Sequence, residues 1–114
     1  MTRSILVVED DATLVRSIVR NLSVRARRSR SAETVSAALH ALEEECPILV
    51  LLDIDLPDGS GWEVLRALRA GTCRDAPVIV MSALRPNIRL VGELQCAGVL
   101  EKPFPMESLL RLVA

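Results

Sequence analysis

Four short apolar runs constrain this chain more than any other feature: Ile5–Val8, Ile48–Leu52, Val78–Met81 and the weaker pair Val99–Leu100. They are rich in Val, Ile and Leu, are bounded by Pro, Asp and Gly, and do not alternate with polar residues. A strand wetted on one face alternates; one that does not is covered on both, which is the habit of parallel sheets. The stretches between the runs have helical spacing. Leu14, Ile18 and Leu22 recur every fourth residue, with Val15 and Val19 widening the stripe. Thr34 to Glu45 carries Val35, Ala38, Leu39 and Leu42, and Trp62 to Ala70 carries Val64, Leu65 and Leu68 before Gly71. Ile88 to Cys96 and Glu107 to Val113 complete the set. Short strands alternating with helices mean βαβ units with right-handed crossovers, an α/β fold with helices on both faces of the sheet. Five strands and five helices fit the length, with no repeat, linker or low-complexity segment, so residues 1–114 read as a single domain.

The second strand must fall in 25–31, "RARRSRS", which holds four arginines. One reading is a basic patch for nucleic acid. The other, which the scarcity of aromatics and a net charge of −1 favour, is an edge strand guarded by charge against further pairing. With only Trp62 and Phe104 as aromatics, a base-stacking platform is excluded. Three cysteines, Cys46, Cys73 and Cys96, come without CxxC spacing and with the lone His40, which predicts reduced thiols in a cytoplasmic protein rather than a disulfide or zinc site. No run is long enough for a membrane span, and the start of the chain lacks the layout of a signal peptide.

The residues just past each run carry the chemistry. Glu9, Asp10 and Asp11 come after the first; Asp53 and Asp55 after the second; Ser82 after the third; Glu101, Lys102 and Pro103 after the fourth. In an open parallel sheet these positions share the carboxyl edge, where ligands bind. Taken singly, a strand-end Asp is a turn former or helix cap, Ser82 a cap, Lys102 a solvated charge and Glu9–Asp11 a favourable first helical turn. Converging, Glu9, Asp10 and Asp53 repel one another unless a cation joins them, and an all-oxygen carboxylate set suits Mg²⁺. Asp53 is then placed to act as a nucleophile toward a phosphoryl group, with Lys102 and Ser82 stabilising its oxygens.

The segments "ILVVEDD" (5–11), "LVLLDIDLPDGSGWEVL" (49–65), "PVIVMSA" (77–83) and "LEKPF" (100–104) give the chain, over nearly its whole length, a close resemblance to the CheY-like receiver domain of bacterial two-component response regulators. The resemblance implies a doubly wound, flavodoxin-like five-stranded parallel sheet of order 2-1-3-4-5. It implies Asp53 as phosphoacceptor, Asp10 as a direct Mg²⁺ ligand, Glu9 acting largely through water, and Asp55 ligating the metal through its backbone carbonyl. Ser82 would be the switch hydroxyl and Lys102 the phosphoryl-binding lysine, with a cis bond to Pro103. A histidine kinase or histidine phosphotransfer protein would donate the phosphoryl group, and the surface of the fourth helix and fifth strand would switch. Docking of an effector or a second copy would use the fourth and fifth helices, with no nucleic acid or membrane bound by this domain, and the domain would be no conventional turnover enzyme. Three departures stand out. Val99 sits where the family usually has an aromatic switch residue, the Ser82–Lys102 segment is about two residues short with Pro86 near the start of its helix, and the last helix is brief. Two rival readings remain: a receiver-like interaction module that is never phosphorylated, and a haloacid-dehalogenase-type phosphatase, suggested by Asp53-x-Asp55, Ser82 and Lys102. The second lacks its downstream acidic pair, since only Glu107 follows Lys102.

Overall fold

The apolar runs lie side by side. A computed structural model describes residues 3–113, and in it β1 (Ile5–Val8), β2 (Ser29–Ala32), β3 (Leu49–Asp53), β6 (Val78–Ser82) and β7 (Gly98–Glu101) form one parallel sheet. Its order is β2-β1-β3-β6-β7, the flavodoxin-like arrangement, with the arginine-bearing strand at one edge. The helices are α1 (Ala12–Val24), α2 (Val35–Glu44), α3 (Gly61–Ala70), α4 (Ile88–Glu93) and α5 (Met106–Val113). A two-residue antiparallel pair, β4 (Asp55–Leu56) with β5 (Gly59–Ser60), was not legible as strand and forms a small hairpin just past Asp53.

The unalternating runs have their expected cause. Successive strand residues face opposite sides. Leu6, Val8, Val50, Leu52, Val78 and Val80 pack under α2 and α3, against Ala38, Val64, Leu65 and Leu68. Ile5, Val7, Leu49, Leu51, Ile79 and Met81 pack under α1 and α5, against Ile18, Leu22, Leu109 and Leu110. Both sets are buried. Helix ends obey local chemistry: Asp11 caps α1 through the N–H groups of Thr13 and Leu14, Thr34 caps α2, and Ser60 with Glu63 forms a capping box on α3. The helix expected over Ile88–Cys96 stops at Glu93, is only six residues long and buries none of them. Its end is held from outside. Arg69 of α3 donates to the carbonyls of Leu94, Gln95, Arg74 and Ala76.

Two sequence expectations change. The strand within 25–31 begins only at Ser29, so Arg25, Arg27 and Arg28 lie in the connection between α1 and β2. Arg30, which does lie in the strand, is half-buried. It donates to Ser4 Oγ and to the carbonyls of Ala41 and Glu45, supplying partners to the end of α2. The reduced thiols expected from cysteine spacing are also overturned: Cys46 and Cys73 form a disulfide with their Cα atoms 5.4 Å apart, leaving Cys96 free. The two are 27 positions apart in the sequence. The fold joins them because α2→β3 and α3→β6 both turn at the amino edge of neighbouring strands. No helix among the described residues is long and apolar enough to cross a membrane.

One glycine fixes the loop beyond Asp53. A Cβ on Gly61 would collide with the Asp53 carbonyl oxygen and lie 2.8 Å from Ile54 Cα, and the Gly61 N–H donates to the Ile54 carbonyl at 2.7 Å. Gly61→Ala is expected to destabilise the domain by about 1–3 kcal/mol, as overpacking against backbone does, measurable by urea denaturation. An unchanged midpoint would show that α3 does not need this close approach.

Candidate functional site

The register of the sheet builds the site. Val8 pairs with Leu52, so Glu9 and Asp53 are the next residues of adjacent parallel strands. Asp53 pairs with Met81, and Ser82 comes next; Ser82 pairs with Glu101, and Lys102 comes next. Glu9, Asp53 and Ser82 are buried, while Asp10 is exposed. Carboxylate oxygens of Glu9, Asp10 and Asp53 lie within 4.8 Å of one another, the spacing of a cation site. The Asp11 carboxylate is committed to capping α1, and the Asp11 N–H donates to Glu9 Oε2 at 3.2 Å.

Lys102 closes the cluster from the far side. Its N–H donates to the Ser82 carbonyl at 2.7 Å, and the Lys102–Pro103 peptide is cis. Its Nζ lies 2.6 Å from Glu9 Oε1 and 3.3 Å from Asp53 Oδ2. The other Asp53 oxygen, Oδ1, accepts the Asp55 N–H at 3.1 Å. The Asp55 side chain is exposed. Val99, on β7, is exposed as well. The structure thus brings Glu9, Asp10, Asp53 and Lys102 together, puts Ser82 and the Asp55 backbone beside them, and leaves Val99 outside.

Charge in this setting is perturbed. Burial pushes the Glu9 carboxyl up to about 7; Lys102 and the Asp11 N–H pull it down, and Asp53 pushes it further up. Desolvation alone would lower the Lys102 ammonium, but the hydrogen bond and charge of Glu9, with the charge of Asp53, raise it. Three carboxylates against one ammonium leave an excess of negative charge on hard oxygen donors. That composition fits Mg²⁺, or another small divalent cation, better than a soft metal.

Sequence reasoning missed one residue here. Asp58, in the β4–β5 turn, accepts the N–H groups of Val35 at 2.7 Å and Ser36 at 3.1 Å, and these bonds hold its carboxyl below the usual range. It ties the Asp53 loop to the start of α2. Nothing local signals this, because its partners lie 22 and 23 residues away.

The raised Glu9 value has a testable sign. An acid whose folded pKa exceeds its ordinary 4.5 contributes stability that is fully present below about 4.5 and is lost as the pH rises through about 7. The stability of the cation-free protein relative to Glu9→Gln should therefore fall between about pH 5 and about pH 8. Chemical denaturation across that range checks it, and a flat difference would mean that Glu9 is already ionised at pH 5.

Comparison with known proteins agrees with this geometry. The chain is 38% identical over 108 residues to the transcriptional regulatory protein KdpE of Mycobacterium tuberculosis, covering 93% of this chain and 47% of that one. It is 35% identical over 118 residues to the phosphate regulon transcriptional regulatory protein PhoB of Escherichia coli, covering 100% and 52%. The chain spans about half the length of these curated relatives. Among solved structures, the non-phosphorylated HemR receiver domain of Leptospira biflexa superposes with a TM-score of 0.89 at 30% identity, covering 98% of this chain and 91% of that one. The BeF3-activated DrrB receiver domain superposes with a TM-score of 0.84 at 29% identity, covering 99% and 95%. The sequence profile of the response regulator receiver domain matches residues 5–114, and the chain belongs to that family.

Proposed function

We propose that this domain is the phosphoacceptor of a two-component signalling system, taking a phosphoryl group onto Asp53 from a phosphohistidine of a histidine kinase or phosphotransfer protein. The observation that carries the reading is the buried Asp53 carboxylate, gripped by Lys102 on one oxygen and the Asp55 N–H on the other, beside Glu9 and Asp10. In the transfer, one Asp53 oxygen forms the new P–O bond as the P–N bond to the donor imidazole breaks. The leaving nitrogen keeps the bonding electron pair and is protonated in its own protein. Lys102 offsets charge on the phosphoryl oxygens, and Ser82 is the hydroxyl on the same edge that donates to them. Glu9, Asp10, Asp53 and the Asp55 backbone carbonyl would hold Mg²⁺, which when bound neutralises the phosphate oxygens and screens them from the acidic cluster. Enzymatic turnover is no part of this role beyond the domain promoting its own phosphorylation and dephosphorylation.

The switch would lie at α4 and β7. With Val99 in place of a ring, an aromatic rotamer has no part in it. The short α4, which buries no residue of its own and is tethered at its end by Arg69, is the element free to move. Ile88, the first residue of α4, and Leu84 just before it are both strongly exposed, on the surface where a second copy or an effector would dock together with α5. By analogy with the transcriptional regulatory proteins it matches, the domain would relay its state to an output that binds DNA, while itself binding neither nucleic acid nor membrane and working in the cytoplasm.

Intact-protein mass after incubation with acetyl phosphate tests the reading. One Mg²⁺-dependent phosphoryl adduct is expected on the wild type and none on Asp53→Asn. Lys102→Met should slow adduct formation by about a hundredfold, as loss of one transition-state donor does. A folded protein that forms no adduct would make the unphosphorylated interaction module the better account.

A further inference from the structure

The cystine lies at the end of the fold opposite Asp53. Cys46 comes after α2 and Cys73 after α3, so the bond ties together the ends of two helices that share one face of the sheet. The two residues differ in burial: Cys73 is buried, whereas Cys46 is half-buried. Both line an open cleft of about 310 Å³ together with Arg3, Pro47, Thr72 and Asp75. The fold does not lean on this bond alone. Arg30 independently holds the end of α2 through the Ala41 and Glu45 carbonyls, and the core beneath is complete. A cystine with one half-buried end at an open cleft, in a fold with other ties between the same elements, has the attributes of an exchanging bond.

We propose that Cys46 and Cys73 form a reversible thiol–disulfide site whose co-reactant is a small carboxylate-bearing thiol of the glutathione class, received in the cleft beside Arg3. In the reductive direction the incoming thiolate attacks the sulfur of Cys46, the less buried of the two residues, the Cys46–Cys73 bond breaks, and Cys73 leaves as thiolate. A second small thiolate then attacks the added sulfur of the mixed disulfide, releasing the Cys46 thiolate and the oxidised small disulfide. Two electrons pass to the protein, and its two thiolates take up protons from water. Oxidation runs the same steps backward, with the small disulfide as oxidant. Cys96 stays out of the exchange, since burial pushes its thiol up, against the pull of Arg69, and little thiolate exists at neutral pH.

The bond reports on α2. That helix is fastened at its start by Asp58 from the Asp53 loop and at its end by Arg30 and the cystine. Opening the cystine removes one fastening and loosens the last turn of α2.

The test uses the whole chain equilibrated in glutathione buffers of graded thiol-to-disulfide ratio, quenched with acid, alkylated with a maleimide and weighed. One label, on Cys96, is expected at the oxidising end and three at the reducing end, with a glutathione adduct on Cys46 between them. Cys46→Ser should take two labels at the reducing end and never form the intramolecular bond. It keeps the test available should Cys73→Ser, at the buried position, fail to fold. Hydrogen exchange in the last turn of α2 should quicken about tenfold on reduction. One label at every ratio, three labels at every ratio, or a bond that includes Cys96 would each overturn the proposal. Unchanged exchange of α2 on reduction would overturn its link to the helix.

Discussion

Mutual repulsion among Glu9, Asp10 and Asp53 is the constraint around which this molecule is arranged. At roughly 4 Å and the effective dielectric of a protein surface, each pair of like charges costs about 4 kcal/mol. Two of the three carboxylates are buried, so water relieves little of it. The protein carries two visible answers. Lys102 spans Glu9 and Asp53, and Glu9 holds a proton up to about neutral pH. Neither balances the whole cluster, and the residual negative charge on hard oxygen donors is what a divalent cation would neutralise.

The rest of the fold serves to keep those charges in place. Parallel pairing puts Glu9 and Asp53 side by side because β1 and β3 are in register. Strands buried on both faces cannot slide without exposing a full row of Val, Ile and Leu to the wrong neighbours. Beyond the strands, Gly61 lets α3 start against the Asp53 backbone, and Asp58 fastens the same loop to α2. The loop after Asp53 is therefore tied to both α2 and α3, whereas α4 on the other flank is tied mainly through Arg69. A domain so built is stiff where chemistry is proposed and loose where a signal would leave.

The sheet and the charge cluster were legible because each rests on a local pattern. An unbroken apolar run can be read as a two-faced strand, and the residue at its end must lie at the carboxyl edge. The hidden features all depend on distant partners. The arginines of 25–31 could be read as edge protection, and β2 does lie at an edge. That Arg30 turns inward to the carbonyls of α2 depends on where a helix eleven residues away ends. Cys46 and Cys73 looked unpaired because their spacing matches no local motif, and only the shared turning edge of β3 and β6 joins them. The short α4 was foreshadowed by Pro86, but its anchor, Arg69, looked like an ordinary surface charge on α3.

The most direct test of the central claim is the unfolding free energy as a function of Mg²⁺ concentration. If the cluster is an unbalanced cation site, stability should rise by about 1.4 kcal/mol per tenfold increase in Mg²⁺ above the dissociation constant. The rise should vanish in Asp10→Asn, which removes the exposed ligand without disturbing the buried pair. A wild-type stability indifferent to Mg²⁺, or a rise that persists in Asp10→Asn, would contradict the account.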